Sequence, residues 1–313
     1  MKKQDKEEGG ITEGVDTPPE SGILNAQTTS VREQHRIKAA KTGEGPQGRV
    51  NQDCTGNGLN AAISRWAFRY DGCDTAVALL KEGSWMAKLD LSNYFLKIPW
   101  SEEWSKKYAW FKDFRRDRGV WQGKGPPPEG WPDEEEKDKP PYRRYSNGSF
   151  GTSVMPAWAS CISGVLAAIL RHSGVERVTF YVDDFFIVAD TKEECARQLA
   201  KALKIIVDLG LATNDKTEGP AQQLEYLGLL IDTIKMEVTI TKKRCDQLRR
   251  TIAVLLKEGR AKRTDLHTMQ GKLGWCGMVV REGRSRMAGL RDIVRDSRGS
   301  KPHRLLQLPE NLR

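Results

Sequence analysis

The stretch "FYVDDFFIVAD", residues 180–190, sets Asp183 and Asp184 side by side between two runs of aromatic and β-branched residues. Runs of that composition read as buried strands. Adjacent carboxylates conflict with such a setting, because like charges repel and an unpaired buried ion costs several kcal/mol. Two arrangements resolve the conflict. Either the pair caps an exposed hairpin turn, or a cation lies between the two groups. An Asp-Asp turn is an ordinary structural solution by itself, so the rest of the chain has to decide.

A second out-of-place acid changes the balance. In "MAKLDLSNYFLKIPW" (86–100), Asp90 ends an apolar strand that needs no charge. Three carboxylates from two strand ends can hold two Mg²⁺ about 4 Å apart, the apparatus for in-line phosphoryl transfer.

The surrounding pattern mixes strands and helices. "SWMAKLDL" reads as a strand, and "VMPAWASCISGVLAAIL" as a buried helix entered at Pro156. "RVTFYVDDFFIVAD" breaks at Asp183-Asp184 into a hairpin. Thr191 and Glu194 form a capping box for a helix whose apolar face is Leu199, Leu203 and Ile206 and which ends at Gly210. "QLEYLGLLID" and "KMEVTIT" read as a further strand pair. Two helices follow, one with Leu248, Ile252 and Leu255 on a single face, the other N-capped by Thr264. This order predicts an α+β fold with an all-helical last quarter. Residues 1–35 are polar, without apolar periodicity, and read as a disordered arm. Residues 115–144, rich in proline and in charge blocks, read as an insertion at a hairpin tip.

Composition narrows the class. Residues 242–313 hold 19 Lys+Arg against 7 Asp+Glu, whereas the remainder of the chain is slightly acidic. A basic C-terminal third points to a polyanionic partner, nucleic acid before membrane, although a plain solvated surface has the same composition. Six scattered cysteines without a C-x-x-C pair argue against a zinc module. The N-terminus lacks the apolar run of a signal peptide, and Pro156 with several Ser and Gly breaks the uncharged stretch 145–170 as a membrane span. The expected setting is intracellular, cytoplasmic or nuclear, with no membrane partner.

The motifs, in their order, resemble the reverse transcriptase domain of retroelements from about residue 49 to 294. "KLDLSNYFLKIPW" is similar to that family's first catalytic motif and "YVDD" to its second. "FGTSVMPAWAS" resembles the segment entering the helix that supports template and nucleotide. "GLATNDKTEG" with "LEYLGLLID" resembles the lysine-bearing loop and the hairpin that grips the primer end. "LHTMQGKLGWCGMVVREGRSRMAGL" looks like the thumb of DIRS and related tyrosine-recombinase elements, with Gypsy-type LTR elements next.

The resemblance implies a right-hand polymerase fold of fingers, palm with antiparallel sheet, and helical thumb. Fingers and palm would span 36–241 with the insertion at about 112–141, a basic thumb 242–296, and a tail 297–313. It implies an RNA-directed DNA polymerase using two Mg²⁺, with Mn²⁺ as substitute, and RNA template, DNA primer and dNTP as partners, beside other domains of a polyprotein. Asp90, Asp183 and Asp184 would be catalytic metal ligands, joined by the Leu91 carbonyl. Phe95 would lie under the deoxyribose, with Phe150 and Gly151 lining the nucleotide pocket and Arg49, with Lys41 as companion, contacting the triphosphate. Lys216 would be a proton donor to pyrophosphate or an ordinary surface lysine. Tyr226, Leu227 and Gly228 would form the primer grip.

Plainer readings stand beside these. Tyr94 and Phe95 also fit as core aromatics, and Gly271, Gly274 and Gly277 as positions of close helix packing. A catalytically idle nucleic-acid-binding remnant of a retroelement is the alternative to an active polymerase. An RNA-copying RNA polymerase is disfavoured, because such enzymes usually place a carboxylate or amide near Phe95 to accept a 2′-hydroxyl.

Overall fold

The computed structural model describes residues 54–106 and 145–308, apart from 56–57, 65–66, 298, 300 and 302–303, and the backbone alone of 12–15, 26–31, 48–53, 107–108, 110–112 and 142–144. The chain forms two compact units that interleave in sequence. One comprises Met1–Gly72, Leu89–Phe185 and Ala200–Thr217; the other comprises Cys73–Lys88, Phe186–Leu199 and Glu218–Arg313.

In the first unit, strands β1 (Thr12–Val15), β2 (Ala26–Val31) and β3 (Gly48–Asp53) precede a short helix, α1 (Leu59–Ala62). β1 and β2 fall where composition predicts a disordered arm. There β2 pairs antiparallel with β3, and β1 with β6 (Tyr142–Tyr145). Helix α3 (Glu102–Tyr108) leads into β5 (Trp110–Lys112), which pairs with β6, so residues 113–141 connect the strands of a hairpin. Those residues lie outside the described ones. Helix α4 (Met155–His172) starts with proline in its first turn, as expected. It is amphipathic rather than buried all round: Ala159, Ser163 and Ala167 are fully buried while Val165 is 60% exposed.

The second unit holds α2 (Cys73–Ala78) and most of β4 (Trp85–Asp90) and β8 (Asp184–Ala189). With β7 (Arg177–Tyr181) and β9 (Glu218–Ala221), these two strands make a sheet of order β7-β8-β4-β9. Both central strands carry near-continuous apolar runs, as strands covered on two faces do. Thr191 caps α5 (Lys192–Asp208) as expected, its Oγ1 accepting from the Glu194 N–H at 3.2 Å.

"QLEYLGLLID" is itself a hairpin. β10 (Gln223–Tyr226) and β11 (Leu229–Asp232) pair antiparallel around Leu227 and Gly228, and β12 (Glu237–Ile240) adds to β11. Leu227 (φ 48°) and Gly228 (φ 78°) both take left-handed backbone, the two-residue turn that matches strand twist. Leu224, Tyr226, Leu229 and Ile231 bury their side chains with Met86, Phe186 and Val188.

Helices α6 (Lys242–Glu258), α7 (Arg263–Cys276) and α8 (Ala288–Asp296) follow. Leu248 of α6 packs with Met269 and Cys276, flanked by Ile252 and Leu255. The cap of α7 differs from expectation. Strand β13 (Arg260–Lys262), paired with β14 (Leu305–Gln307), runs directly into the helix. Lys262 therefore occupies the cap position, and Thr264 lies within the first turn. Among the described residues, no helix is long and apolar enough to cross a membrane.

Candidate active site

Only Val182 and Asp183 join β7 to β8, so the chain reverses one residue earlier than the sequence suggests: Asp183 sits in the turn and Asp184 opens β8. Val182 adopts φ 57°, which β-branched residues avoid and glycine normally fills in such turns. Beside this turn, Asp90 closes β4 and is 7% exposed. The Leu91 N–H donates to the Asp183 carbonyl at 3.0 Å, which fastens the two strand ends together.

Burial pushes the Asp184 carboxyl up from 3.8 to about 7. The charges of Asp183 and then Asp90 add to the rise, as does a hydrogen bond with Asp90, and only Lys216 opposes it. Asp90 is held on both oxygens. Lys216 Nζ lies 2.5 Å from Oδ2, and Asn214 Nδ2 donates to Oδ1 at 2.5 Å. The Asn214 N–H also donates to the Asp90 carbonyl at 3.1 Å, while Asn214 Oδ1 accepts from the Lys216 N–H at 2.8 Å. Asn214 thus braces the lysine loop against the acid, a role the sequence reading missed; its nearest signal is the position two residues before Lys216.

The donor set suits a hard divalent cation. Three carboxylates sharing one neighbourhood are the oxygen ligands Mg²⁺ prefers. As the side chains stand, no three acid, imidazole or thiol groups among the described residues converge on a single ion position. Both Asp90 oxygens are engaged by Lys216 and Asn214.

Phe95 and Phe150 pair with each other, ring centroids 5.3 Å apart and both half-buried. Tyr94, by contrast, is buried at 2% exposure, which fits the core-aromatic reading for that residue. Gly151 takes φ 116°, and its carbonyl accepts from Asn60 Nδ2 at 2.9 Å. Asn60 Oδ1 also accepts from the Ser153 N–H at 2.8 Å, which fixes the loop entering α4. Asn60 is a second residue with no signal in the local pattern. Arg49 lies in β3, its backbone opposite Ser30; its side chain and Lys41 fall outside the described residues.

Within the second unit, Tyr226 turns its ring into the core, 4.7 Å from that of Phe186, and leaves Leu227 and Gly228 at the hairpin tip. A groove of about 330 Å³ between α6 and α7 is lined by Arg244, Gln247, Leu248, Gly271, Lys272 and Trp275, among others. The Arg244 guanidinium lies 4.2 Å from the Trp275 ring centre, a cation–π contact that leaves its charge at the groove.

A sequence profile of the reverse transcriptase (RNA-dependent DNA polymerase) family matches residues 47–231, more than half of the chain, and takes in all three acids. The chain belongs to this family. No curated protein matches it in sequence. Among solved structures, a foamy viral protease-reverse transcriptase in complex with double-stranded DNA is similar, at 14% identity and a TM-score of 0.63 over 97% of this chain and 43% of that one. A foamy viral protease-reverse transcriptase in complex with an RNA/DNA hybrid matches at 13% identity and a TM-score of 0.62, over 96% of this chain and 33% of that one. The reverse transcriptase chain described here therefore has the right-hand polymerase fold and spans less than half the length of these solved relatives.

Proposed function

We infer that this chain is the polymerase part of a retroelement, copying RNA into DNA by adding dNTPs to a primer 3′-hydroxyl. One observation carries the reading: Asp90, Asp183 and Asp184 gather at two adjoining strand ends, where burial first, and then Asp183 and Asp90, push the Asp184 carboxyl up. Asp90, Asp183, Asp184 and the Leu91 carbonyl would hold two Mg²⁺, or Mn²⁺ in their place. Bound there, the ions supply charge neutralisation at the reacting phosphate and a more acidic primer hydroxyl.

The chain's own residues do the rest. Lys216, already at the acids, is placed to give a proton to departing pyrophosphate. Phe95, half-exposed beside Phe150, closes the space a 2′-hydroxyl would need, which favours deoxynucleotides. Gly151, braced by Asn60, and Arg49 line the nucleotide site. The Leu227–Gly228 turn steadies the primer end, with Tyr226 anchoring it from the core. The basic helices of 242–296 act as a thumb on the duplex, and the groove at Arg244, Lys272 and Trp275 supports that role. The helical segment's likeness to DIRS-type elements is the ground for placing the chain in that subgroup.

Mg²⁺-dependent dNTP incorporation on a primed RNA template tests the reading. Wild type should extend the primer, and Asp183→Asn should bind duplex normally without extending it. Binding without extension by wild type would leave the idle-remnant alternative.

A further inference from the structure

A buried pair of hydroxyls stands behind the turn that carries Asp183. Ser163, fully buried on α4, places Oγ 2.5 Å from the Val182 carbonyl and 3.0 Å from Tyr94 Oη. Tyr94 Oη also lies 3.3 Å from the Ala159 carbonyl. Tyr94 opens the single helical turn Tyr94–Lys97, four residues after Asp90. The two side chains therefore link the segment leaving Asp90, the helix α4, and the turn between β7 and β8.

Counting protons narrows the direction of these bonds. A carbonyl only accepts, and a serine hydroxyl has a single proton. The shorter contact shows that Ser163 gives its proton to Val182. The one Tyr94 proton then faces two acceptors, Ser163 Oγ at 3.0 Å and the Ala159 carbonyl at 3.3 Å, and the shorter contact is the one to Ser163. The phenol is suited to this, since burial pushes its pKa to about 12 and keeps it protonated. The carbonyl at the end of the chain belongs to the one residue of the turn with unfavourable backbone, φ 57° at a β-branched valine. Such a conformation persists only where its surroundings hold it.

We propose that Tyr94 and Ser163 form a hydroxyl relay that holds the Val182 carbonyl and so fixes the turn presenting Asp183 and Asp184. Both are positioning residues, and their effect on catalysis rests on the polymerase reading above. Tyr94 acts through Ser163.

The test uses the full chain with Tyr94→Phe, Ser163→Ala and the double variant. Three quantities are measured: amide hydrogen exchange of the 181–185 segment in metal-free protein, kcat and KM for dNTP in primer extension, and the melting midpoint. Each single variant should speed exchange in the turn about ten-fold and lower kcat about ten-fold, with KM for dNTP nearly unchanged, as loss of one buried hydrogen bond predicts. The double variant should match Ser163→Ala, because a relay gives strongly non-additive losses. Unchanged exchange in the turn, additive losses, or faster exchange spread evenly along α4 with a collapsed melting midpoint would each overturn the relay. If wild type does not extend primers, the polymerase reading fails, and exchange in the turn alone decides the proposal.

Discussion

Replacing Asp184 by asparagine should stabilise the metal-free protein at neutral and alkaline pH. Asp184 sits at about 7 in the folded chain against an ordinary 3.8, first through burial and then through Asp183 and Asp90. A folded-state value above the unfolded one means that the folded state binds the proton more tightly. Below about pH 4 the group is protonated in both states and has no effect on stability relative to that neutral form. As pH rises from 4 through 7, ionisation is opposed in the folded state alone, and stability falls. The full difference corresponds to roughly 4 kcal/mol, since a tenfold change in proton affinity equals about 1.4 kcal/mol. Asp184 is half-buried and can relax toward water, so about 2–3 kcal/mol is the expected gain for Asp184→Asn at pH 8. Asparagine keeps the shape and removes the charge. Thermal melts of both proteins in chelator, from pH 4.5 to 8, read the effect directly: the gap should be small at pH 4.5 and reach several degrees at pH 8. Millimolar Mg²⁺ should then narrow it by stabilising wild type more than the variant. Parallel melting curves across that pH range would refute the argument that burial, with Asp183 and Asp90 beside it, opposes the charge on Asp184.

Phe95→Val should keep dNTP incorporation and raise rNTP incorporation about ten-fold or more, as 1.4 kcal/mol of lost discrimination implies; the melting midpoint should move less than for a fully buried ring, because Phe95 is half-buried whereas Tyr94 is 2% exposed. An unchanged dNTP/rNTP ratio with lost stability would return Phe95 to the core. Arg244→Ala with Lys272→Ala should make the slope of log K against log salt for duplex binding less negative by roughly 0.9 per removed contact. A slope equal to that of wild type, measured by fluorescence anisotropy, would remove the α6–α7 groove from the duplex site.

The acids were legible because they break a local rule. Asp90 and Asp183-Asp184 interrupt strands whose other residues are apolar, and the interruption shows in any short window. What escaped is what the fold assembles across long separations. Asn214 meets Asp90 from 124 positions away, and Ser163 meets Tyr94 from 69, so no spacing rule connects them. By residue pattern alone "QLEYLGLLID" reads as one strand, because its turn needs left-handed backbone at Leu227, a conformation leucine seldom takes; the hairpin there entered only through the family resemblance. Thr264 carried the signature of a cap, yet β13 delivers the chain to α7 already extended, and Lys262 takes the position.

The bracing of Asp90 also has a meaning for how the protein is made. Its strand leaves the ribosome well before the residues that neutralise it, since Asn214 and Lys216 follow 124 and 126 positions later. At ordinary rates of synthesis that interval is on the order of ten seconds. During it, β4 carries an acid without its counterions, and so cannot be sealed into a dry sheet at low cost. Both compact units include segments beyond residue 199, so neither is complete in the nascent chain at that stage. The lysine loop is then a late-arriving latch: emergence of residues 214–216 supplies the charge that lets the strand carrying the first acid close into the sheet.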